Sequence, residues 1–287
     1  MSQTSKRLAL LLLLTGCEDA LDQRLALVTE PRVLAVVSEP AEAKPGATVT
    51  LSALVASPQG PLAELPAWAL CTAPKPPTED NAVAPGCLAD QVVELGTGAS
   101  TTATIPMDAC TLFGPDVPPG GFRPRDPDAT GGFYQPVRAT TSDAGVAFGF
   151  PRITCNLAGA PGDVAHDYQT MYVANGNPVL HPIVLAQAAA DSDVTLTASW
   201  DAPETYLYYD PASQTLVTRR EAMRVSWFAT AGTLPVDATA VGEADPATSA
   251  STVWHTPATA GPVWLWVVLR DSRGGLATQG ISVVIGP

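Results

Sequence analysis

Apolar residues along this chain recur mainly with a period of two. Across Thr48 to Ala56, Val49, Leu51, Ala53 and Val55 alternate with their neighbours, as expected of a strand with one face turned inward. The same reading predicts strands over Val33 to Ser38, before a Pro45-Gly46 turn, and over Leu65 to Cys71 around Trp68. Gln91 to Leu95 and Thr101 to Met107 follow as further strands. Val146, Phe148 and Phe150 form another alternation that slips phase at Pro151-Arg152 and resumes with Ile153, Cys155 and Leu157, which predicts a bulge. Helical spacing is confined to short stretches. Val164, Tyr168, Met171 and Tyr172 share one face of a helix that Asp163 would cap and Asn175-Gly176-Asn177-Pro178 would end. Leu21, Leu25 and Val28 allow one or two turns in a tether preceding a fold that begins near Arg32.

The second half repeats the opening. Val194-Thr195-Leu196-Thr197-Ala198 matches Val49-Thr50-Leu51-Ser52-Ala53, and each is followed by a strand bearing a tryptophan, Trp227 in Arg224 to Thr230 and Trp68 before it. Val263 to Arg270, a turn over Asp271 to Gly275, and Gly280 to Ile285 predict a closing hairpin. Within the first half, Cys110 to Pro136 is a Pro/Gly-rich excursion without periodicity. The expected fold is therefore all-β, with two β-sandwich domains in tandem and a long loop-rich insertion and one short helix in the first. The expected boundaries are 1–16 for a signal peptide, 17–30 for a tether, 31–185 for the first domain and 186–287 for the second.

The beginning of the chain follows a different logic. Lys6-Arg7 precede an unbroken apolar run, Leu8 to Leu14, and Thr15-Gly16-Cys17 close it, in the order of an export signal. Seven apolar residues fall far short of the roughly 20 that span a bilayer. Leu14-Thr15-Gly16-Cys17 resembles the lipobox of bacterial lipoproteins. That resemblance implies cleavage after Gly16, a diacylglycerol thioether on Cys17, acylation of the new amino terminus, and membrane attachment through the lipid. In enterobacteria an Asp after the cysteine favours the inner membrane; Glu18 stands here, which favours the outer membrane.

Composition narrows the partners. The 287 residues carry a formal charge of -13, and Pro (28) and Gly (23) are abundant, which suits short strands and frequent turns and provides no basic face for nucleic acid. Beyond Cys17 stand Cys71, Cys87, Cys110 and Cys155. An even number in an exported chain implies two disulfides, with three connectivities open; sequential pairing closes the shortest loops. No C-x-x-C pair supports zinc.

Candidate chemistry is sparse. His166, His181 and His255 lack a sequence-local partner for a triad or metal site, and no G-x-S-x-G elbow or phosphate loop is present. No cofactor is expected. Asp126 with Asp128, and Asp191 with Asp193, offer oxygens to calcium but lack the rest of a twelve-residue loop. Trp264 and Trp266 project from one face of a strand whose other face holds Val263, Leu265, Val267 and Leu269. They either lie buried under a second layer or form an aromatic surface for sugar rings. Arg219-Arg220 with Arg224 reads as a solvated edge or an anion site.

The closing segment VWLWVVLRDSRGGLATQGISVVI, with the Trp227 strand, resembles the last strands of bacterial immunoglobulin-like and PKD-type modules, and AEAKPGATVTLSALV resembles their first two. The layout is similar to two-module lipoproteins of myxobacteria. That resemblance implies immunoglobulin-like sandwiches with adhesive, spacer or assembly roles. The expected function is a non-enzymatic, lipid-anchored envelope component, whose partner is an envelope protein or a glycan. The alternatives are a carbohydrate- or peptidoglycan-binding module using Trp264 and Trp266, and an envelope hydrolase using residues 108–180.

Overall fold

The computed structural model describes residues 25–62, 65–74, 83–115, 132–157 and 159–287. In the first half the strands are β1 (Arg32–Glu39), β2 (Glu42–Ala43), β3 (Thr48–Ser57), β4 (Gly60–Pro61), β5 (Ala67–Cys71), β6 (Val92–Thr97), β7 (Ser100–Thr104), β8 (Gly132–Tyr134), β9 (Val137–Thr141), β10 (Gly145–Gly149) and β11 (Arg152–Thr154). β3 pairs with β1, β4 and β7, and this sheet faces a second one in the order β10-β9-β5-β6. Val36, Val49, Leu51, Trp68, Leu70, Val137 and Ala139 fill the space between them. A small sheet, β2-β11-β8, stands beside this core.

The second half contains β12 (Gln187–Ala189), β13 (Asp193–Ser199), β14 (Thr205–Asp210), β15 (Thr215–Arg220), β16 (Met223–Ala229), β17 (Ala238–Val241), β18 (Ser249–His255), β19 (Gly261–Asp271) and β20 (Leu276–Gly286). A five-stranded sheet, β12-β20-β19-β16-β17, packs on the pair β13-β18, with the hairpin β14-β15 to one side. The inward residues Val225, Trp227, Val263, Leu265, Val267 and Leu269 meet Leu196, Ala198 and Trp254. The protein is all-β, built of two β-sandwiches. In both, the Val-Thr-Leu strand and the tryptophan strand lie in opposite sheets, β3 against β5 and β13 against β16.

The two sandwiches meet face to face. β19 is central, flanked by β16 and β20, and apolar on both sides. One side fills the second core. The other presents Trp264, Trp266 and Val268 to Leu34, Leu54 and Ala56 of β1 and β3. The sheets therefore stack in four layers, and β19, together with the Leu54 to Ala56 end of β3, reads as a continuous apolar run because both its faces are covered there. This explains why the alternation of β3 fails after Ala53: Leu54 and Ala56 serve the second interface while Val49, Leu51 and Ala53 serve the first core.

Several expectations are corrected. Folding begins before Arg32: Ala26 and Val28 are buried, the Val28 N–H donates to the Ala229 carbonyl at 2.8 Å, and the Ala229 N–H donates to Ala26 at 2.9 Å. The tether's last residues are thus docked on the second sandwich, and 1–24, with Cys17, lie outside the described residues. The phase slip at Pro151-Arg152 is no bulge. β10 ends there and β11 begins in a different sheet, so Val146 and Phe150 stay largely exposed. The helix runs over Gly162–Met171 with Pro161, not Asp163, at its N-cap. Tyr168 is its buried residue, while Met171 is 53% exposed. That helix rests on Leu207, Tyr209 and Leu216 of the β14-β15 hairpin, an element absent from the sequence reading, and a one-turn helix, Ala109–Leu112, also went unpredicted.

Candidate functional site at the junction of the two sandwiches

Where the sandwiches join, the charged side chains of Glu42, Arg152, Glu221, Asp271 and Arg273 are buried. Buried charges persist only when paired and hydrogen-bonded, and here the elements of both halves supply the partners. Glu42, on β2, lies 3.2 Å from Arg152 on the parallel neighbour β11. Its carboxylate accepts from the hydroxyls of Thr154 (2.8 Å) and Tyr172 (2.6 Å) and from the Asn175 N–H (2.8 Å). Arg152 also donates to the Tyr134 hydroxyl at 3.1 Å, and that hydroxyl in turn donates to the Arg273 carbonyl.

The second cluster belongs to the closing hairpin. Asp271 accepts from the N–H groups of Arg273 (2.8 Å) and Gly275 (2.9 Å), closing its own turn. Gly274 takes a positive φ of 98° there, and a side chain on Gly275 would collide with the Asp271 carboxylate. The Asp-x-x-Gly-Gly pattern thus follows from turn geometry. Arg273 donates from Nε to Glu221 and from Nη2 to Glu204, each at 2.8 Å.

The segment Tyr172 to Asn177 stitches the clusters together. Asn175 donates from its backbone to Glu42 and from its side chain to Asp271 at 3.2 Å. Asn177 donates to the Ser38 carbonyl (2.8 Å) and accepts from the Leu276 N–H (2.8 Å). Two asparagines thereby bridge the first and second sandwiches through amide bonds of fixed direction.

Electrostatics at the joint favour protons. Burial, reinforced by the neighbouring Asp271, pushes the Glu221 carboxyl up to about 7 against the opposing pull of Arg273. Burial likewise raises Asp271, countered by bonds from Gly275, Asn175 and Arg273. Burial would lower Arg273, but its bond and charge pairing with Glu221 carry it above its ordinary value. Burial pushes the Tyr172 hydroxyl up to about 12, with Arg152 opposing and Glu42 adding to the effect. Chemically the arrangement is a clamp: two guanidiniums hold carboxylates and backbone from separate strands in one geometry.

Beside the joint lies a cleft of about 440 Å³ between β1, β10 and the Arg270 to Leu276 turn, with Leu34, Phe148 and Phe150 in its wall. A second hollow of about 330 Å³ shares Leu34 and Arg270 with it.

The residues singled out from the sequence fall in separate places. Trp266 is 0% exposed and Trp264 half-buried, stacked at 6.4 Å between centroids under the first sandwich. The aromatic-surface alternative is thereby corrected, because the face it needs is occupied by Leu54 and Ala56. Cys71 is bonded to Cys87 and Cys110 to Cys155, with Cα separations of 5.1 and 5.7 Å. Asp126 and Asp128 lie outside the described residues. Asp191 and Asp193 instead flank His255, at 3.2 and 2.9 Å, and no group of three metal-binding side chains occurs among the described residues. His181 meets Asp201 at 2.8 Å and Ser199 at 3.3 Å on an exposed edge. Two of the three histidines thus have carboxylate partners that sequence spacing concealed. The arginine cluster divides. Arg219 stacks 3.6 Å from the Tyr208 ring and Arg220 donates to the Glu243 and Asp245 carbonyls, while Arg224 shares a sheet face with Arg270, its direct cross-strand neighbour.

The junction network itself was missed in the sequence. Only the Asp271 turn left a local signal.

No family model and no curated protein matches this chain. Among solved structures it is similar to the adhesin InvE of Yersinia pseudotuberculosis, at 11% identity and a TM-score of 0.24, over 87% of this chain and 58% of that one. It is also similar to the FN1-FN3 domains of chicken CNTN1, at 10% identity and a TM-score of 0.24, over 91% and 66%. The native conformation of E. coli alpha-2-macroglobulin gives 12% identity and a TM-score of 0.25, over 89% and 17%. The chain thus spans less than two thirds of each. At these scores the likeness says nothing of function, and the β-sandwich assignment rests on the strand pairing described above.

Proposed function

We propose that this chain is a lipid-anchored protein of the bacterial cell envelope, exported, cut before Cys17, and acting as a non-enzymatic interaction or structural component on the outer membrane. The sequence Leu14-Thr15-Gly16-Cys17 after a basic and apolar leader supports the anchor. Three acyl chains, at about 0.8 kcal/mol per buried methylene, hold a protein durably where one does not. The interaction role rests on one structural observation: the sandwiches are joined by buried hydrogen bonds from Tyr134, Asn175 and Asn177 and by a shared apolar face into one unit, as suits a body that presents surfaces at fixed spacing.

The anchor is tested by Cys17→Ser, which should abolish radioactive palmitate labelling and signal processing; label retained in that variant would refute it. The role is tested by cross-linking a tagged, lipidated protein in living cells. A reproducible protein neighbour is the expected result, and recovery of none across several cross-linkers would count against an interaction role.

A further inference from the structure

The outer face of the five-stranded sheet is apolar at one end and basic at the other. Along β19 it runs Trp264, Trp266, Val268, Arg270, and along β16 Phe228, Ser226, Arg224. The first sandwich covers the apolar end. Arg224 and Arg270 are directly paired in register across the two strands, and both are exposed. Like charges directly opposite each other in an antiparallel pair repel. Among the described residues neither arginine has a carboxylate within ion-pair distance, in a chain whose net charge is -13. The pair forms the floor of the smaller hollow, and Arg270 and Leu34 continue into the 440 Å³ cleft. Leu34 is aimed there by a bulge in β1, where the register slips between Val33 and Ala35. The cleft's other wall is β10, which among the described residues pairs only with β9, so its outer edge offers backbone donors and acceptors to an extended chain.

We infer that this cleft docks an extended acidic peptide segment of a partner protein, with apolar side chains seated between Leu34, Phe148 and Phe150 and carboxylates on Arg270 and Arg224. Charge complementarity to Arg224 and Arg270 selects an acidic occupant, the Asp271 carboxylate in the cleft wall being taken up by the Arg273 and Gly275 N–H groups of its own turn. Among the described residues the β10 edge beside the cleft has no strand partner, which selects a peptide over a lipid headgroup, since a headgroup has no use for a strand edge. This rests on the interaction reading above and gives it a surface and a partner class.

The test uses soluble protein beginning after Cys17, with disulfides intact, so that it is independent of lipidation. Fluorescent twelve-residue peptide pools, alternating Leu, Val or Phe with Asp or Glu, are titrated beside equal pools carrying Lys or Arg at the charged positions. Saturable binding of the acidic pool is expected, weakening at least tenfold between 50 and 500 mM salt, because the contacts are solvent-exposed ion pairs and the Debye length falls from roughly 14 Å to roughly 4 Å. Arg224→Glu with Arg270→Glu should abolish it, while Arg219→Glu, on the distant hairpin, should leave it intact. Should the double reversal fail to fold, Arg224→Gln with Arg270→Gln removes the charges more mildly and should still cost most of the binding. Equal binding of the basic pool, binding that survives the double variant, or no binding of the acidic pool overturns the inference. Arginine-dependent binding of phosphatidylglycerol vesicles without peptide binding also overturns it and points to an anionic bilayer instead. The palmitate and cross-linking results stand apart from all four outcomes.

Discussion

Replacing Glu221 by glutamine should remove a defined part of the protein's pH dependence. Glu221 is 4% exposed and its carboxyl titrates near 7 in the folded protein against an ordinary value of 4.5. The folded state therefore holds this proton more firmly than the unfolded chain does. Stability is greatest below about 4.5, falls as pH rises through 7, and levels off above it. At about 1.4 kcal/mol per pH unit, the gap amounts to about 3 kcal/mol. Glutamine keeps the shape and an acceptor for the Arg273 Nε, now 2.8 Å away, but has nothing to ionise. The assay is urea denaturation with disulfides intact, at intervals from pH 4.5 to 8.5. Asp271, raised by burial, and His255, raised by its bonds to Asp193 and Asp191, act in the same direction. The wild-type slope is therefore a composite, and the difference between wild type and Glu221→Gln isolates the one carboxyl. Parallel curves, or a wild type that gains stability relative to the variant as pH rises from 5 to 7.5, would refute the reasoning.

Other outcomes follow from the same geometry. Trp266→Ala should cost about 3 to 5 kcal/mol and separate the thermal unfolding of the two sandwiches, because its indole lies wholly within their shared face; a single transition at the wild-type temperature would contradict this. Cys110→Ser with Cys155→Ser opens a link between residues 45 apart and should lower stability by about 4 kcal/mol, against about 3 for Cys71→Ser with Cys87→Ser, whose link spans 16; denaturation midpoints read the order. Gly132→Ala would place a Cβ on the Arg152 guanidinium and drive it from Glu42, a loss of about 3 to 5 kcal/mol for a broken buried pair. Wild-type stability in that variant would show that the pair adjusts freely.

The architecture was legible where its cause is local. Period-two alternation marked β3 and β13, because a pleated chain must send successive side chains to opposite faces whatever lies beyond them. Glycines and Asp271 marked the last turn for an equally local reason. The doubly apolar β19 even announced that something covers each of its faces, though not what. Tertiary structure alone decided the rest. The partner of Trp266 is Ala56, about two hundred positions away, and nothing in either neighbourhood encodes the other. Phe148 and Ile153 look like one slipped strand until the pairing assigns them to different sheets. Glu42, Arg152, Glu221 and Arg273 each read as an ordinary surface charge, since a charge is buried or solvated according to which strands close over it. Burial, ion pairing and the raised Glu221 carboxyl are properties of that closure, and they arise only when residues distant in sequence share one excluded volume.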